Sequence, residues 1–347
     1  MSFKSILFVA DASSIHTVKW VDYFVTQGYD VYLATFSQEN NTRCSKVFFL
    51  SDKKIKKSGG NFYYLFQIFK LSKILQEIKP DIINAHFSYS LGFVTLLALK
   101  ISKIQSSFSV VCHGSDILSP PMPIITNKIN RYVLEHADKI FTVSDQIKDA
   151  IEFMDIDVDK IFIGQYGIDI KASSRTEKEI DIISNRAYIP NSRIDLLLDI
   201  LNKEKYNNLN IVFVLPNITT NTLLYLQNKY NNIDFCSNVD YEVMIKMIKK
   251  SKIYVSATKS DGTALSLLEA MYYKCIPLVS NIVSNRSWIL DSVNGYLFNS
   301  KKDLETKLDK VLNEEKQNLI TIINEKLITE KANYMIQMKK IENFLIG

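Results

Sequence analysis

The sequence lacks the features that mark several large classes of protein. Its cysteines, Cys44, Cys112, Cys236 and Cys275, are far apart and form no C-x-x-C pair, which fits a reducing compartment better than a disulfide scaffold or a zinc site. Glycine and proline are scarce, with 10 and 7 residues in 347, and no low-complexity tract indicates disorder. No apolar run approaches the ~20 residues that a membrane-spanning helix needs. The run near the N-terminus is too short for the core of a signal peptide.

The sequence also lacks a strong excess of positive or negative charge. The chain has 42 basic and 37 acidic residues, a net charge of +5. This falls short of the clustered basic surface of a nucleic-acid-binding domain, so we expect no nucleic-acid partner. A mild positive excess suits phosphorylated substrates or an anionic membrane surface. Hydrophobic residues make up 47% of the 347 residues, enough for two domains with substantial cores.

What the sequence does have is a regular alternation of short apolar segments and longer amphipathic ones. A polar stretch at 167–180 interrupts the pattern, which then restarts. Such alternation is typical of an α/β fold with parallel, doubly wound, Rossmann-like sheets. The predicted strands are 5–10, 29–35, 81–85, 108–112, 139–143, 181–184, 210–215, 233–236, 252–256 and 277–280. The predicted helices are 16–27, 62–79, 88–103, 126–136, 144–154, 194–201, 220–230 and 241–250.

The same pattern predicts the domain boundaries. We expect an N-terminal domain at 1–168, a linker at 169–180 and a C-terminal domain at 181–328. A C-terminal helix, 329–347, could cross back to the N-terminal domain. Doubly wound sheets bind ligands at the carboxyl ends of their strands. The sequence therefore predicts a site in a central cleft faced by both sheets.

The segment SDGTALSLLEAM (260–271) is the strongest functional signal. It follows a predicted strand, and a helix begins near Thr263, so unpaired amides and the positive helix end would favour an anion. Gly262 allows a ligand to approach the backbone closely. Asp261 and Glu269 add two carboxylates, which sugar or ribose hydroxyls could satisfy. The alternative is that Asp261 only caps the helix and Glu269 pairs with a nearby lysine.

With the residues that follow it, SDGTALSLLEAMYYKCIPLVSNIVSNRSWI, this segment resembles the acidic E-x7-E motif of the retaining family-four (group 1) glycosyltransferases, in a DGT and NR-x-W-I variant. Asp261 stands in the place of the first glutamate, and Glu269 matches the second. The resemblance implies a GT-B fold, in which 1–168 is the acceptor-side domain and 181–328 the nucleotide-sugar-binding domain. It further implies that Asp261 contacts the donor sugar and Glu269 the ribose. It also implies that the helix start, comprising Gly262, Thr263, Ala264 and Leu265, holds the diphosphate of the donor.

The segment IISNRAYIPNSRIDLLLDIL resembles the strand–Arg–loop–Lys–helix segment of the same family. Arg186 occupies the arginine position, the expected lysine is missing, and Arg193 is the nearest basic residue. A diphosphate leaving group needs cationic stabilisation, and two cations from one loop would supply it without a metal. Both arginines could instead be exposed solubility charges.

In the predicted N-terminal domain, VVCHGSDIL resembles the HG-x-D loop of the family. The resemblance places His113 near the reactive carbon of the sugar as a catalytic residue, and Asp116 on the acceptor or phosphate side. A lone histidine after a strand is more often structural, which is the alternative here. Asn84, His86 and Ser144 end other strands and are weaker candidates.

Two further segments complete the predicted site. The loop ADASSIHTVKW has no glycine where the family often has a glycine-rich turn, and we expect Ser14, His16 and Thr17 to face the acceptor or the donor phosphates. The segment 237–240 matches the place where relatives contact the nucleobase through the backbone, so Val239 is a donor-binding candidate.

A basic and aromatic segment suggests membrane contact. Residues 62–79, FYYLFQIFKLSKILQEIK, follow Lys53, Lys54, Lys56 and Lys57, and an amphipathic basic helix can lie on an anionic membrane. The alternative is an ordinary core helix. Many members of the resembled family act on lipid-linked sugars. We therefore expect a cytoplasmic protein that associates peripherally and reversibly with the inner membrane surface.

The resemblance therefore implies an enzyme. It would be a metal-independent hexosyl- or N-acetylhexosaminyl-transferase that moves a sugar from a nucleoside diphosphate sugar to a hydroxyl of a glycan or lipid-linked saccharide. Synthesis of a bacterial surface polysaccharide such as capsule or O-antigen is the expected setting. No cofactor is expected beyond the nucleotide sugar as co-substrate. The alternatives are a nucleotide-sugar epimerase, a phosphorylase-like enzyme, and a non-catalytic GT-B sugar-binding or partner subunit.

Overall fold

The computed structural model describes residues 4–51, 63–118, 120, 122–170, 176–315 and 317–347. The chain forms two compact units, of which the first comprises Met1–Tyr166 and Ile336–Gly347, and the second comprises Gly167–Met335. Both contain a parallel sheet covered by helices, so the predicted fold of two doubly wound domains is confirmed. Part of the predicted linker, 171–175, lies outside the described residues.

The first unit is built on a parallel sheet whose strands are apolar and buried. In the described part of the chain this sheet has seven strands in the order β3-β2-β1-β4-β5-β6-β7, so the order reverses between β1 and β4. The strands are β1 (Ser5–Val9), β2 (Asp30–Thr35), β3 (Lys46–Phe49), β4 (Ile82–His86), β5 (Ser107–Cys112), β6 (Lys139–Thr142) and β7 (Ile161–Ile163). The helices are α1 (Ile15–Thr26), α2 (Tyr63–Phe66), α3 (Ile68–Ile78), α4 (Phe93–Ser102), α5 (Pro123–His136) and α6 (Asp145–Glu152).

Local sequence explains several of these helix ends. Ser144 caps α6 as predicted, because its hydroxyl oxygen accepts the backbone N–H of Ile147 at 3.4 Å. Gly28 lies just beyond α1 with φ of 85°, a backbone conformation that glycine adopts without strain. The helix predicted at 88–103 has two parts, a wide π-helical turn at Ser88–Gly92 followed by α4.

The second unit has the same plan. Its described strands form a six-stranded parallel sheet in the order β10-β9-β8-β11-β12-β13, with the reversal between β8 and β11. The strands are β8 (Ile180–Asn185), β9 (Ile211–Val214), β10 (Asp234–Cys236), β11 (Ser251–Ser256), β12 (Ile276–Ser280) and β13 (Tyr296–Phe298). The helices are α7 (Ile194–Leu201), α8 (Thr220–Lys229), α9 (Tyr241–Lys249), α10 (Leu265–Tyr272), α11 (Val283–Arg286), α12 (Lys301–Leu312) and α13 (Gln317–Lys331).

Alternation along the strands of the second unit builds two cores, one on each face of the sheet. Ile182 belongs to one buried cluster and the neighbouring Ile183 to the other, as the two-residue period of a strand requires. Leu268 and Met271 of α10 join the same cluster as Ile183. Helix α10 is therefore fixed against the sheet along its inner side.

The last helix, α14 (Tyr334–Ile346), is anchored to the first unit by polar and aromatic contacts. The carboxylate of Glu342 accepts hydrogen bonds from the hydroxyls of Tyr23 at 2.6 Å and Tyr29 at 2.8 Å. The ring of Phe344 lies edge-on to that of Phe141, with 5.3 Å between centroids. These contacts place the C-terminal segment against the first sheet.

Two sequence-based expectations need correction. The strands β3, β7 and β13 were not predicted; each has only three or four residues and shows no clear period, although the equally short β10 was predicted. Helix α10 begins at Leu265 rather than near Thr263.

No described helix is both long enough and apolar enough to cross a membrane.

Candidate active site

Two loops of the second unit meet where its strand order reverses. We call residues 186–193, between β8 and α7, the arginine loop, and residues 257–264, between β11 and α10, the acidic loop. Since β8 and β11 are parallel neighbours, both loops leave the same edge of the sheet. This is the position at which open α/β sheets bind ligands.

An ion pair joins the two loops. Nη2 of Arg186 donates to Oδ2 of Asp261 at 2.6 Å, and the two side chains are 18% and 22% exposed. Nε of Arg193 donates to the carbonyl oxygen of Ala257 at 2.5 Å. Arg186 is therefore not an exposed solubility charge, and Asp261 does not cap α10, whose N-cap residue is Ala264.

Asn191 adds two more bonds between the same loops. Its side-chain Nδ2 donates to the carbonyl oxygen of Ser260, and its own carbonyl oxygen accepts the backbone N–H of Lys259, both at 2.9 Å. Sequence reasoning missed Asn191. The only signal was an amide-bearing residue in a loop that already contained two candidate arginines.

The start of α10 offers backbone donors beside this pair. Gly262 is buried, and Thr263, Ala264 and Leu265 are partly buried. The hydroxyl of Thr263 donates to the carbonyl oxygen of Gly262 at 2.8 Å. The first amides of a helix have no acceptor within the helix, and the positive dipole end favours an anion. The acidic loop thus combines a carboxylate with a surface suited to phosphate.

Glu269 is buried on α10, and its partner is a tyrosine. The hydroxyl of Tyr241 donates to Oε1 of Glu269 at 2.8 Å. Burial and the neighbouring Glu269 carboxylate raise the pKa of Tyr241, so it stays a phenol. Its side chain is nevertheless 50% exposed, which leaves ring surface for a ligand. Sequence reasoning missed Tyr241, although it directly follows the predicted nucleobase segment 237–240.

Two other residues lie near the carboxyl ends of strands in the second sheet, Val239 after β10 and Asn185 at the end of β8. Val239 is partly buried and packs against the core that contains α10. Nδ2 of Asn185, at the end of β8, donates to Sδ of Met244 at 3.0 Å. Oδ1 of Asn185 is buried and accepts no hydrogen bond within the described part of the chain. Asn185, next to Arg186, is thus a polar group that sequence reasoning did not select.

In the first unit, three of the four histidines of the chain gather at the carboxyl edge of the sheet. His16 lies in α1 after β1, His86 ends β4, and His113 follows β5. Ring centroids are 5.6 Å apart for His16 and His113, and 5.0 Å apart for His86 and His113. We call these three residues the imidazole cluster. The described residues include no group of His, Cys, Asp or Glu side chains placed to hold a metal ion.

His113 is held by aromatic neighbours. Its Nδ1 lies 2.6 Å from the hydroxyl oxygen of Tyr166, and the ring of Phe87 stacks on it with 4.2 Å between centroids. Burial, followed by the neighbouring His86 and His16, lowers the pKa of His113 well below its usual value. His113 is therefore a neutral imidazole at neutral pH.

Asp116 shapes the loop that carries His113. Its Oδ1 accepts the backbone N–H groups of His113 and Gly114, and its Oδ2 accepts that of Ser88, all at 3.0 Å. Gly114 has φ of 107°, a conformation that favours glycine. Asp116 is fully buried. The structure thus places Asp116 inside the loop rather than on a surface that faces acceptor or phosphate.

The three residues predicted in the first loop have different environments. Ser14 precedes α1 and is partly buried, and its side chain makes no capping hydrogen bond. Thr17 is buried on α1, so its hydroxyl does not face solvent. His16 is partly buried, and its ring packs against that of Tyr166 with 4.4 Å between centroids and 32° between the planes. Only His16 of the three joins the imidazole cluster.

Two parallel sheets with polar loops at their strand-order reversals define a doubly wound α/β architecture, and proteins of this architecture bind ligands at such loops. Comparison with family models makes the class specific. The model described as "Glycosyl transferase 4-like" matches residues 5–144, and the model described as "Glycosyl transferases group 1" matches residues 167–327. The two matches together span most of the chain, which belongs to the group 1 glycosyltransferases.

Curated relatives and solved structures agree. The chain is 21% identical over 297 residues to the uncharacterized glycosyltransferase MJ1178 of Methanocaldococcus jannaschii, covering 82% of this chain and 81% of the relative. It is 24% identical over 273 residues to the capsular polysaccharide biosynthesis glycosyltransferase CapH of Staphylococcus aureus, covering 73% and 74%. The structure of Anabaena HepE with UDP superposes with a TM-score of 0.78 at 12% identity over 99% of both chains. The fold is therefore the GT-B fold.

Proposed function

We propose that this protein is a retaining glycosyltransferase that takes a hexosyl or N-acetylhexosaminyl group from a nucleoside diphosphate sugar. The observation that carries the proposal is the ion pair between Arg186 and Asp261, with Glu269 buried one helix turn or more beyond the amides of α10. A diphosphate sugar needs a cation, carboxylates and backbone N–H donors, and the arginine loop, the acidic loop and the start of α10 bring these groups to one edge of the sheet.

The chemistry of the leaving group explains the arrangement. A guanidinium carries five N–H donors, and the bond to Asp261 uses one of those of Arg186. The remaining donors have no acceptor among the described residues and can bind the phosphate that departs with the nucleoside. Arg193 and the first amides of α10 would add positive potential. Together they would stabilise the negative charge that develops on the leaving group.

The two carboxylates take different parts in this proposal. Glu269, which Tyr241 holds in place, would accept hydrogen bonds from the ribose hydroxyls. Asp261, paired with Arg186, would contact the donor sugar through its remaining oxygen. His113 is proposed, from the family resemblance, as a sugar-contacting residue of the first unit. The transfer is proposed to occur on the same face as departure, with the leaving phosphate as the base, and no metal or other cofactor enters the reaction.

The relatives suggest the substrates. HepE has been solved with UDP-glucose, and CapH is a capsular polysaccharide biosynthesis glycosyltransferase. We therefore propose a UDP-sugar as the first donor to test. The proposed acceptor is a hydroxyl of a glycan on a lipid carrier, in surface polysaccharide synthesis at the cytoplasmic face of the membrane.

Exposed aromatic side chains support peripheral membrane contact. Phe66 of α2 is 74% exposed and Phe69 of α3 is 66% exposed. Lys70 and Lys73 are exposed on the same helix, α3, and basic-aromatic surfaces bind anionic bilayers. The four lysines upstream of these helices, Lys53, Lys54, Lys56 and Lys57, lie outside the described residues.

Sedimentation with anionic vesicles tests the membrane contact. The double substitution Phe66→Ser and Phe69→Ser should abolish co-sedimentation. Phe153→Ser removes a phenylalanine that follows α6 and is more exposed, at 93%, and it should change nothing. Equal binding by all three proteins, or no binding by the wild type, would contradict membrane contact at α2 and α3.

A nucleotide-sugar panel tests the enzymatic proposal. UDP-, GDP-, CMP- and dTDP-sugars are incubated with the protein and a saccharide acceptor, and NMR follows donor loss and the anomeric configuration of the product. Arg186→Ala should lower kcat/KM about 100-fold or more, as removal of a single stabilising donor does elsewhere. Arg131→Ala, which removes a half-exposed arginine of α5, is the control.

The outcomes separate the candidate functions. A product with inverted configuration would overturn the retaining mechanism. Turnover unaffected by Arg186→Ala would overturn the site. Failure to bind or turn over any nucleotide sugar would favour a non-catalytic GT-B sugar-binding or partner subunit.

A further inference from the structure

In the hydrogen bond between Tyr166 and His113, the other contacts of the Tyr166 hydroxyl determine which group is the donor. Tyr166 is buried, and the bond to Nδ1 of His113 at 2.6 Å is the sole hydrogen bond of its hydroxyl among the described residues. A buried hydroxyl left without an acceptor is costly. If Nδ1 carried the proton and donated, the phenolic hydrogen would have no acceptor. The hydroxyl of Tyr166 therefore donates to Nδ1.

The direction of this bond fixes the tautomer of His113. A neutral imidazole carries one hydrogen, and the nitrogen that accepts a hydrogen bond cannot carry it. The hydrogen of His113 is thus on Nε2. Nε2 is buried and makes no hydrogen bond to any described residue. The ring presents a donor that lacks an acceptor.

The neighbours of His113 keep this state in place. Phe87 stacks on the ring, with 20° between the planes, and limits its rotation. Phe87 itself has φ of 70°, an uncommon conformation for a bulky residue that tends to occur at functional sites. Burial lowers the pKa of His86 to about 3, so the adjacent imidazole adds no positive charge to the cluster.

We propose that Tyr166 is a positioning residue that locks His113 as the Nε2–H tautomer, which makes His113 a hydrogen-bond donor to an oxygen atom of the bound sugar substrate. His113 then stabilises an oxygen and does not act as a general base, since Nε2 already carries its proton. The substrate part of this inference rests on the proposed glycosyltransferase function. The tautomer part does not, because it concerns the free protein.

Nitrogen NMR of the imidazoles tests the lock directly. Protein labelled with 15N-histidine is studied without substrate by two-bond proton–nitrogen correlation, which distinguishes a protonated ring nitrogen from an unprotonated one. His113→Gln identifies the resonances of His113 by their loss. We expect unprotonated Nδ1 and protonated Nε2 in the wild type. In Tyr166→Phe, which keeps the ring and removes the hydroxyl, the Nδ1–H tautomer should become populated.

Kinetics adds the functional arm. Tyr166→Phe should lower kcat for transfer about tenfold, the upper range for one neutral hydrogen bond, and leave the KM of the nucleotide sugar unchanged. Tyr132→Phe, whose hydroxyl accepts from Lys100 in the same unit, is the matched control and should leave kcat and the tautomer of His113 unchanged.

Each outcome bears on one claim. A wild-type His113 protonated on Nδ1, or the same tautomer ratio in Tyr166→Phe, would overturn the lock. If Tyr166→Phe does not fold, the wild-type spectrum alone still decides the tautomer. The expected tautomer with normal kcat in Tyr166→Phe would overturn the role in transfer. The expected tautomer in a protein without any transfer activity would refute the proposed function and leave the lock standing.

Discussion

Acidification should destabilise the first unit through His86. This residue is buried, and burial followed by the neighbouring His16 lowers its pKa from 6.5 to about 3. In the unfolded chain it takes up a proton near pH 6.5, whereas in the folded protein it stays neutral until about pH 3. The contribution of the buried, neutral His86 to the free energy of unfolding is therefore fully present above pH ~6.5 and is lost as the pH falls toward ~3. Between about pH 7.5 and pH 5 the loss amounts to about 2 kcal/mol.

Fluorescence can isolate this effect. The chain has two tryptophans, Trp20 in the first unit and Trp288 in the second. In a Trp288→Phe background, Trp20 alone reports urea unfolding of the unit that contains His86. The free energy of unfolding at the two pH values is compared with and without His86→Phe, so that other titrating groups cancel. An equal pH dependence in both proteins would refute the reasoning.

Three further predictions concern single contacts. Tyr241→Phe removes the hydrogen bond to Glu269 and should raise the KM of the donor about tenfold, as expected for a bond to a charged group; an unchanged KM in steady-state kinetics would contradict the positioning of Glu269. Asp116→Asn turns an amide toward backbone N–H groups that now donate to the carboxylate, and should cost about 1–3 kcal/mol in urea unfolding and reduce transfer. Gly167 has φ of +69°, and a Cβ at this position would lie 2.6 Å from Cα of Tyr334. The thermal unfolding midpoint of Gly167→Ala should therefore fall, and the loss should exceed the small stabilisation that Gly→Ala gives where the backbone suits alanine.

The regular part of the fold was readable from sequence because burial leaves a pattern. The predicted helix at 194–201 coincides with α7, and β8, β9 and β11 agree with their predictions within one or two residues. Apolar, β-branched runs between turn residues carry that signal. The short strand β13, with only Tyr296–Phe298, carries none, since its pairing with β12 depends on tertiary structure.

The candidate site was readable residue by residue, but its internal contacts were not. Arg186 and Asp261 were predicted separately, and the bond between them links positions 75 residues apart. Tyr241 and Glu269 are similarly separated, by 28 residues. A single sequence contains no signal for such pairs, because either side chain has many possible partners until the sheet brings the loops together. Asn191 and Tyr166 were missed for the same reason.

The measurement closest to the central claim is the initial rate of sugar transfer by Glu269→Gln, which keeps the shape of the side chain and removes its charge. Glu330→Gln, a change at an exposed position of α13, is assayed in parallel with the same UDP-sugar and acceptor. If Glu269 binds the ribose hydroxyls of the donor, kcat/KM should fall about 10- to 150-fold, the range for a lost hydrogen bond to a charged group, while Glu330→Gln matches the wild type. Equal kcat/KM for wild type and both variants would contradict a donor site at α10.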